Sequence, residues 1–180
     1  MESPLYTETL NGYTLTIDHE QWADDPTNWG NFTVKHWRDY DDGTGELTID
    51  ESKFADGRAH WVDKYEHGGA SYTLHGEGMN DRWDTSRKWG IIEFTDEYAA
   101  NGDTLEARRE MARGDLREYT RWANGEVLDV RIEEDGEWID GNGGVYDDLD
   151  DAIAMARDTV DRMSPKRESA RALTASKLHI

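Results

Sequence analysis

The chain reads as an α+β protein, an antiparallel sheet with two main helices packed on one face and a basic C-terminal tail. Three observations predict this. Runs of alternating apolar and polar residues dominate the first half, two later segments repeat their apolar residues at helical spacing, and no linker-like stretch separates the two kinds. At 180 residues the chain has the size of one substantial domain. Residues 1–163 are therefore expected to form a single acidic domain, with 164–180 as a tail, helical or flexible.

The elements follow in order. Tyr13, Leu15 and Ile17 alternate with Thr14, Thr16 and Asp18, the period of a strand with one buried face. Phe32, Val34 and His36 repeat the pattern after the turn-rich Asp24-Asp25-Pro26-Thr27-Asn28. Asp39 to Gly45 is polar and glycine-containing, hence a loop. Further strands are expected at Trp61 to Tyr65, Tyr72 to Leu74 and Trp89 to Phe94. From Thr104 to Ala123 the period changes, because Leu105, Ala112, Leu116 and Tyr119 share one side of a helix. Asp103 or Thr104 would cap it and Asn124-Gly125 would end it. Leu128, Val130 and Ile132 alternate again, Asp135-Gly136 reads as a hairpin turn, and Trp138 and Ile139 mark the returning strand. After a turn at Gly141 to Gly144, Leu149, Ile153, Ala156, Val160 and Met163 form a core-facing helical stripe, which Ser164-Pro165 is expected to break.

Composition narrows the chemistry. Cysteine is absent, which excludes disulfides and thiolate sites. No apolar run is long enough to span a membrane and the first ten residues lack a signal-peptide pattern, so a cytoplasmic protein of the host cell, away from membranes, is expected. Eight tryptophans are expected mostly in the core. The net charge is −20. From Ser164 onward, Lys166, Arg167, Arg171 and Lys177 face only Glu168, so the body before the tail carries −23. The tail, opposite in charge, offers a contact to a neighbouring copy.

The stretch Lys64-Tyr65-Glu66-His67-Gly68-Gly69, then Trp83-Asp84-Thr85-Ser86, Trp89-Gly90-Ile91-Ile92, and the helix ending Tyr119-Thr120-Arg121-Trp122-Ala123-Asn124-Gly125-Glu126-Val127 resembles a widespread family of small acidic proteins encoded by bacteriophages and integrated elements. Asp25-Pro26-Thr27-Asn28-Trp29-Gly30-Asn31 and His36-Trp37-Arg38-Asp39-Tyr40 resemble that family's opening, so the likeness spans Tyr13 to Arg157. It implies a phage-type origin and singles out Tyr65, His67, Gly69, Trp83 and Asp84 as a motif turn without an assigned role. Where the family often has cysteines, this chain has Asn80-Asp81-Arg82 and Asn142-Gly143-Gly144.

The remaining constellations are bland beside their alternatives. His60, His67 and His75 with Asp63 or Glu66 match no standard metal-ligand spacing. Asp39, Asp41 and Asp50 lack the fifth-position ligand and sixth-position glycine of a calcium loop. Glu133 with Asp129 is one carboxylate pair among 40 acids. Neither a nucleophile elbow nor a phosphate loop occurs, so no catalytic residue, metal or cofactor is expected, and the chain is not read as an enzyme. Direct nucleic-acid binding conflicts with the charge. The charge itself suggests a role: 23 negative charges correspond to ~39 Å of duplex, close to the diameter of about 40 Å expected for a compact chain of this length. The expected function is a phage accessory protein that binds a basic host protein by imitating a polyanion, as in counter-defence against a nucleic-acid-handling factor. Its expected contact acids are Asp147, Asp148, Asp150 and Asp151, with Glu133, Glu134, Asp135 and Glu137 on the preceding hairpin. The alternative is a salt-adapted or structural accessory protein, for which Asp over Glu (23 to 17) and Arg over Lys (14 to 6) are suggestive and in which the acids should be spread evenly.

Overall fold

A computed structural model describes residues 3–177 apart from residue 45, with side chains up to residue 164. The tail's cationic side chains, expected to meet a neighbouring copy, lie outside the described residues. The fold is α+β with antiparallel sheets and two main helices, and the strands divide into two four-stranded sheets, each carrying one of those helices. The chain forms two compact units: Asp24–Asn124 is inserted between the two halves of the other unit, Met1–Ala23 and Gly125–Ile180.

In the discontinuous unit, β1 (Tyr6–Leu10) turns through Asn11-Gly12 into β2 (Tyr13–His19). Asn11 (φ 52°) and Gly12 (φ 83°) both lie in the left-handed region, the conformation of a two-residue hairpin whose twist suits its strands. This Asn-Gly signal marks β1, which alternation alone does not reveal because its residues are mostly polar.

The inserted unit begins with two short 3-10 turns flanking β3 (Phe32–His36), then α1 (Ser52–Ala55), β4 (Ala59–Glu66), β5 (Ala70–Leu74), β6 (Thr85–Phe94), α2 (Asp96–Ala99) and α3 (Leu105–Ala123). Its sheet runs β3-β6-β4-β5. The period of two sorts the strand residues. Phe32, Val62, Leu74, Ile92 and Phe94 pack with Ala112 and Leu116 of α3, while Ile91 and Ala59 pack on the opposite face with Tyr40 and Ile49. The Thr104 hydroxyl accepts from the Ala107 amide and caps α3 as its sequence predicts. At the other end Asn124 spans to β5, accepting from Ala70 N and donating to Ala70 O, both at 2.8 Å, and Thr120 Oγ1 accepts from Tyr72 N at 3.0 Å. The helix thereby satisfies backbone groups that an edge strand otherwise leaves open to pairing. Where β3 pairs with β6 at His36 and Gly90, a Cβ on Gly90 would lie against the Lys35 carbonyl oxygen well inside contact distance, so only glycine fits.

The chain then closes the first unit. β7 (Leu128–Glu134) pairs with β2, Ile17 opposite Val130, and Asp135-Gly136 turns it into β8 (Glu137–Val145), giving the order β1-β2-β7-β8. β8 runs through Gly141 to Gly144, where a turn was expected. Its register shifts twice, and such bulges on an edge strand discourage further pairing. α4 (Leu149–Lys177) lays Ala152, Ala156 and Val160 on Leu15, Ile17, Val130 and Ile132. Each fully buried Leu or Ile of this set contributes about 1.5–3 kcal/mol. The helix also continues through Pro165, where a break was expected. A proline deletes one helical hydrogen bond and strains a turn without forbidding it.

The tryptophans correct another expectation. None of the eight is buried: Trp22 (86%), Trp83 (85%), Trp138 (66%) and Trp29 (45%) are exposed, and the other four are half-buried. Aliphatic residues with Phe32, Phe94, Tyr13, Tyr40 and Tyr72 form the cores instead.

Candidate functional site

The division into units redistributes the charge. The discontinuous unit, counted to Met163, holds 17 acids against three basic residues, a balance of −14 over 62 residues. The inserted unit holds 22 against 13, or −9 over 101. The three cations of the acidic unit face acids of the same unit: Arg131 pairs with Asp129 at 2.7 Å, Arg157 with Glu8 at 2.8 Å and Arg162 with Asp158 at 3.1 Å. In the inserted unit, cations knit loops to elements instead. Glu77 binds Arg109 and Arg113 of α3, and the Arg113 hydrogen bond, reinforced by Arg109, holds its carboxyl down at about 2.

The eight predicted contact acids all fall in the acidic unit, in two groups. Glu133, Glu134, Asp135 and Glu137 surround the β7–β8 turn, whereas Asp147, Asp148, Asp150 and Asp151 flank the start of α4. Strand β8 separates the groups by about 26 Å at ~3.3 Å per residue. A third acidic locus, missed in the sequence, joins the β2 end to β7. Thr16, Asp18, Glu20, Trp22, Asp129 and Arg131 line a cleft of ≈ 330 Å³ beside exposed His19 and Gln21. Glu20 is positioned by its own amide, which donates to the Val127 carbonyl, and by its carboxylate, which accepts from Gly144 N. Asp18 and Asp129 stand opposite one another in the β2–β7 register, although 110 intervening residues hide that pairing in the sequence.

The motif turn is brought together completely in the inserted unit. His67 Nδ1 lies 3.0 Å from Asp84 Oδ2, the Glu66 amide donates to the Asp84 carbonyl at 2.9 Å, and the Tyr65 ring stacks on His67 at 6.3 Å between centroids. Gly69 lies against Asn124, with room for a Cβ only 3.0 Å from its Oδ1. Trp83 projects from this frame into solvent, with the Arg82 guanidinium 5.5 Å over its ring.

Two carboxyls are buried and behave oppositely. Asp63 sits at the register shift of β4, where it supplies the acceptors the irregular ladder lacks: Lys88 N (2.7 Å) and His75 Nδ1 (2.8 Å) meet Oδ1, and Gly76 N (2.9 Å) meets Oδ2. Burial pushes its pKa up, but the hydrogen bonds from Gly76, Lys88 and His75 outweigh that and hold it below the usual range. Asp115, in the middle of α3, has one partner, the Tyr98 hydroxyl at 2.9 Å, while Oδ2 has none among the described residues. Burial drives it up to about 7, assisted by the nearby Glu118 charge.

The histidines separate. His67 meets Asp84 and His75 meets Asp63, while His60 is half-buried on the α3 side, with no partner for Nε2 among the described residues and its pKa lowered by burial. Among the described residues no three His, Asp or Glu side chains gather as metal ligands. In the loop considered for calcium, Asp41, Asp42 and Asp50 bind backbone amides of Gly43, Thr44 and Ser52. No helix of the described residues is long and apolar enough to cross a membrane. No protein-family model, curated protein or solved structure matches the chain.

Proposed function

We propose that the chain is a phage-type accessory protein that binds a basic host protein through its acidic discontinuous unit, in the manner of a polyanion. The observation that carries this reading is the concentration of net charge: counted to Met163, before the basic tail, the discontinuous unit holds 17 acids against three bases, whereas the inserted unit holds 22 against 13. Salt adaptation adds acids over the whole surface and does not require bases to be withdrawn from one unit, so the scarcity of cations in the discontinuous unit up to Met163 favours a binding role. A compact body of 62 residues is about 27 Å across, and duplex DNA of that length carries about 16 phosphate charges, comparable with −14. The cleft beside Trp22 fits a lysine or arginine side chain of the partner, because an exposed indole attracts a cation and the carboxylates of Asp18, Glu20 and Asp129 outnumber the one cation lining the cleft, Arg131, which pairs with Asp129. A nucleic-acid-handling defence factor has the required basic groove, and charge of this density speeds association by electrostatic steering.

The test is affinity capture from host lysate at low salt, followed by stepwise elution and identification of what is retained. A basic protein released as salt rises is expected. Replacing Glu133, Glu134, Asp135 and Glu137 by amides, and separately Asp147, Asp148, Asp150 and Asp151, assigns the contact to one end of β8. Retention of no basic protein, or equal retention by both amide variants and by a variant lacking the Asp18 and Asp129 carboxylates, would refute the reading.

A further inference from the structure

In a chain with 40 acids against 20 Lys and Arg, cations that stand together without carboxylate partners are notable. Arg82, Arg87 and Lys88, within seven consecutive residues at the end of the loop between β5 and β6 and the start of β6, are three cations of this kind. Arg82 lies over Trp83 (5.5 Å), Lys88 over Trp61 (5.2 Å), and Arg87 donates to Asn80; none makes an ion pair among the described residues. Of the three acids in the same loop, Glu77 binds Arg109 and Arg113 of α3, and the other two are engaged by groups of the loop and motif turn. Asp81 Oδ1 accepts from the amides of Trp83 (2.8 Å) and Asp84 (3.2 Å), and Asp84 holds His67. Thr85 Oγ1 ties the loop base by accepting from Asp81 N (3.1 Å) and donating to Met79 O (3.0 Å). Trp83 (85% exposed) and Met79 (64% exposed) are thus large apolar side chains on a braced loop with a cationic rim. Little ordering entropy remains to be lost when such a side chain docks, which is the property of an interface anchor.

The acidic unit presents the opposite surface. On the β7–β8 hairpin, Trp138 (66% exposed) and Ile139 (44% exposed) lie between Glu137 and Asp140 in the strand, and Trp138 stands opposite Glu133 in the ladder. We propose that the Trp83 loop of one copy docks on the β7–β8 hairpin of a second copy, indole and methionine against Trp138 and Ile139, with Arg82, Arg87 and Lys88 facing the hairpin acids. Exposure of both surfaces in the single chain leaves each available. Glu133 and Glu137 belong to both proposed contacts, but self-association is read on the purified chain with no other macromolecule present, so its failure is distinguishable from failure of the basic-partner reading.

Two chains of −20 repel at long range, whereas the complementary rims attract at contact. At about 0.15 M salt the Debye length is ~8 Å, which screens the first more than the second, so association should peak there and fall at both about 0.02 M and about 1 M. Sedimentation velocity on the full chain, at up to about 200 μM, reads this directly. Trp83→Ala and Arg82→Glu should each weaken association by about tenfold, a typical effect of removing an anchor. Glu137→Arg should do the same, and the double variant Arg82→Glu/Glu137→Arg should recover it. Because Trp83 and Arg82 are exposed, circular dichroism of the variants should match that of the parent chain. A monomer at all three salts overturns the proposal, as does association that survives Trp83→Ala or that is lost only on deleting residues 165–180. Binding of a labelled oligothymidylate that depends on Trp83 while the chain stays monomeric would assign the loop to nucleic acid instead.

Discussion

Replacing Asp115 by asparagine isolates the energetic consequence of burying a carboxyl with a single partner. In the unfolded chain this group titrates near its ordinary value of 3.8, and in the folded chain at about 7. The folded state therefore binds a proton that the unfolded state releases between those values, and the stability Asp115 contributes, complete below 3.8, is lost as pH rises through about 7. The full loss is about 4 kcal/mol at 1.36 kcal/mol per pKa unit, and about 2–3 kcal/mol of it falls between pH 5 and pH 8. Asparagine retains the acceptor for Tyr98 but places an amide where Oδ2 had no partner, a pH-independent cost of about 1–2 kcal/mol. The variant should thus be about as stable as the parent at pH 5 and about 2–3 kcal/mol more stable at pH 8. His60 acts in the other direction. Burial lowers its pKa, so its contribution is present above its unfolded value of 6.5 and lost as pH falls through the lowered one. That effect is common to both proteins and cancels in the difference. Urea unfolding at pH 5, 6, 7 and 8, followed by tryptophan fluorescence, measures the difference. A stability gap independent of pH would show that Asp115 ionises normally and that its burial is relieved in solution.

Two other substitutions test the packing that positions the motif turn. Gly90→Ala drives a methyl into the Lys35 carbonyl where β3 pairs with β6, and should cost about 3 kcal/mol or more, seen as a lowered urea midpoint with secondary structure otherwise retained. Asn124→Ala leaves Ala70 N and O without their partners, and should cost about 1–3 kcal/mol together with faster amide exchange along β5. A change below a few tenths of a kcal/mol in the second case would mean that water replaces the side chain without loss.

The elements were legible to the extent that local physics sets them. Alternation in Tyr13 to Ile17 and in Leu128 to Ile132, the Asp135-Gly136 turn and the Thr104 cap each depend on residues within a few positions, and each is realised in the fold. The glycines from 141 to 144 misled because a strand that shifts register twice tolerates them, and glycine reports permissiveness rather than a turn. Tryptophan number suggested a core, but it is a property of composition, and four indoles lie on the surface where only the surrounding elements could place them.

The sequence by itself determined the class α+β, the two long helices, the excess of acid and the absence of thiol chemistry, because each follows from residue type or from spacing within a turn or two. Tertiary structure alone decided that the strands make two sheets, that β2 finds β7 across an inserted unit, and that the basic residues before the tail fall mostly in the inserted unit, leaving the acids of the other unit with few cations among them. It likewise decided which carboxyls are buried and whether they are satisfied, as Asp63 is and Asp115 is not. The physical reason is common to all of these. Charge density, burial and pairing depend on which distant segments share a surface, and periodicity along the chain records a residue's face without recording the partner that covers it.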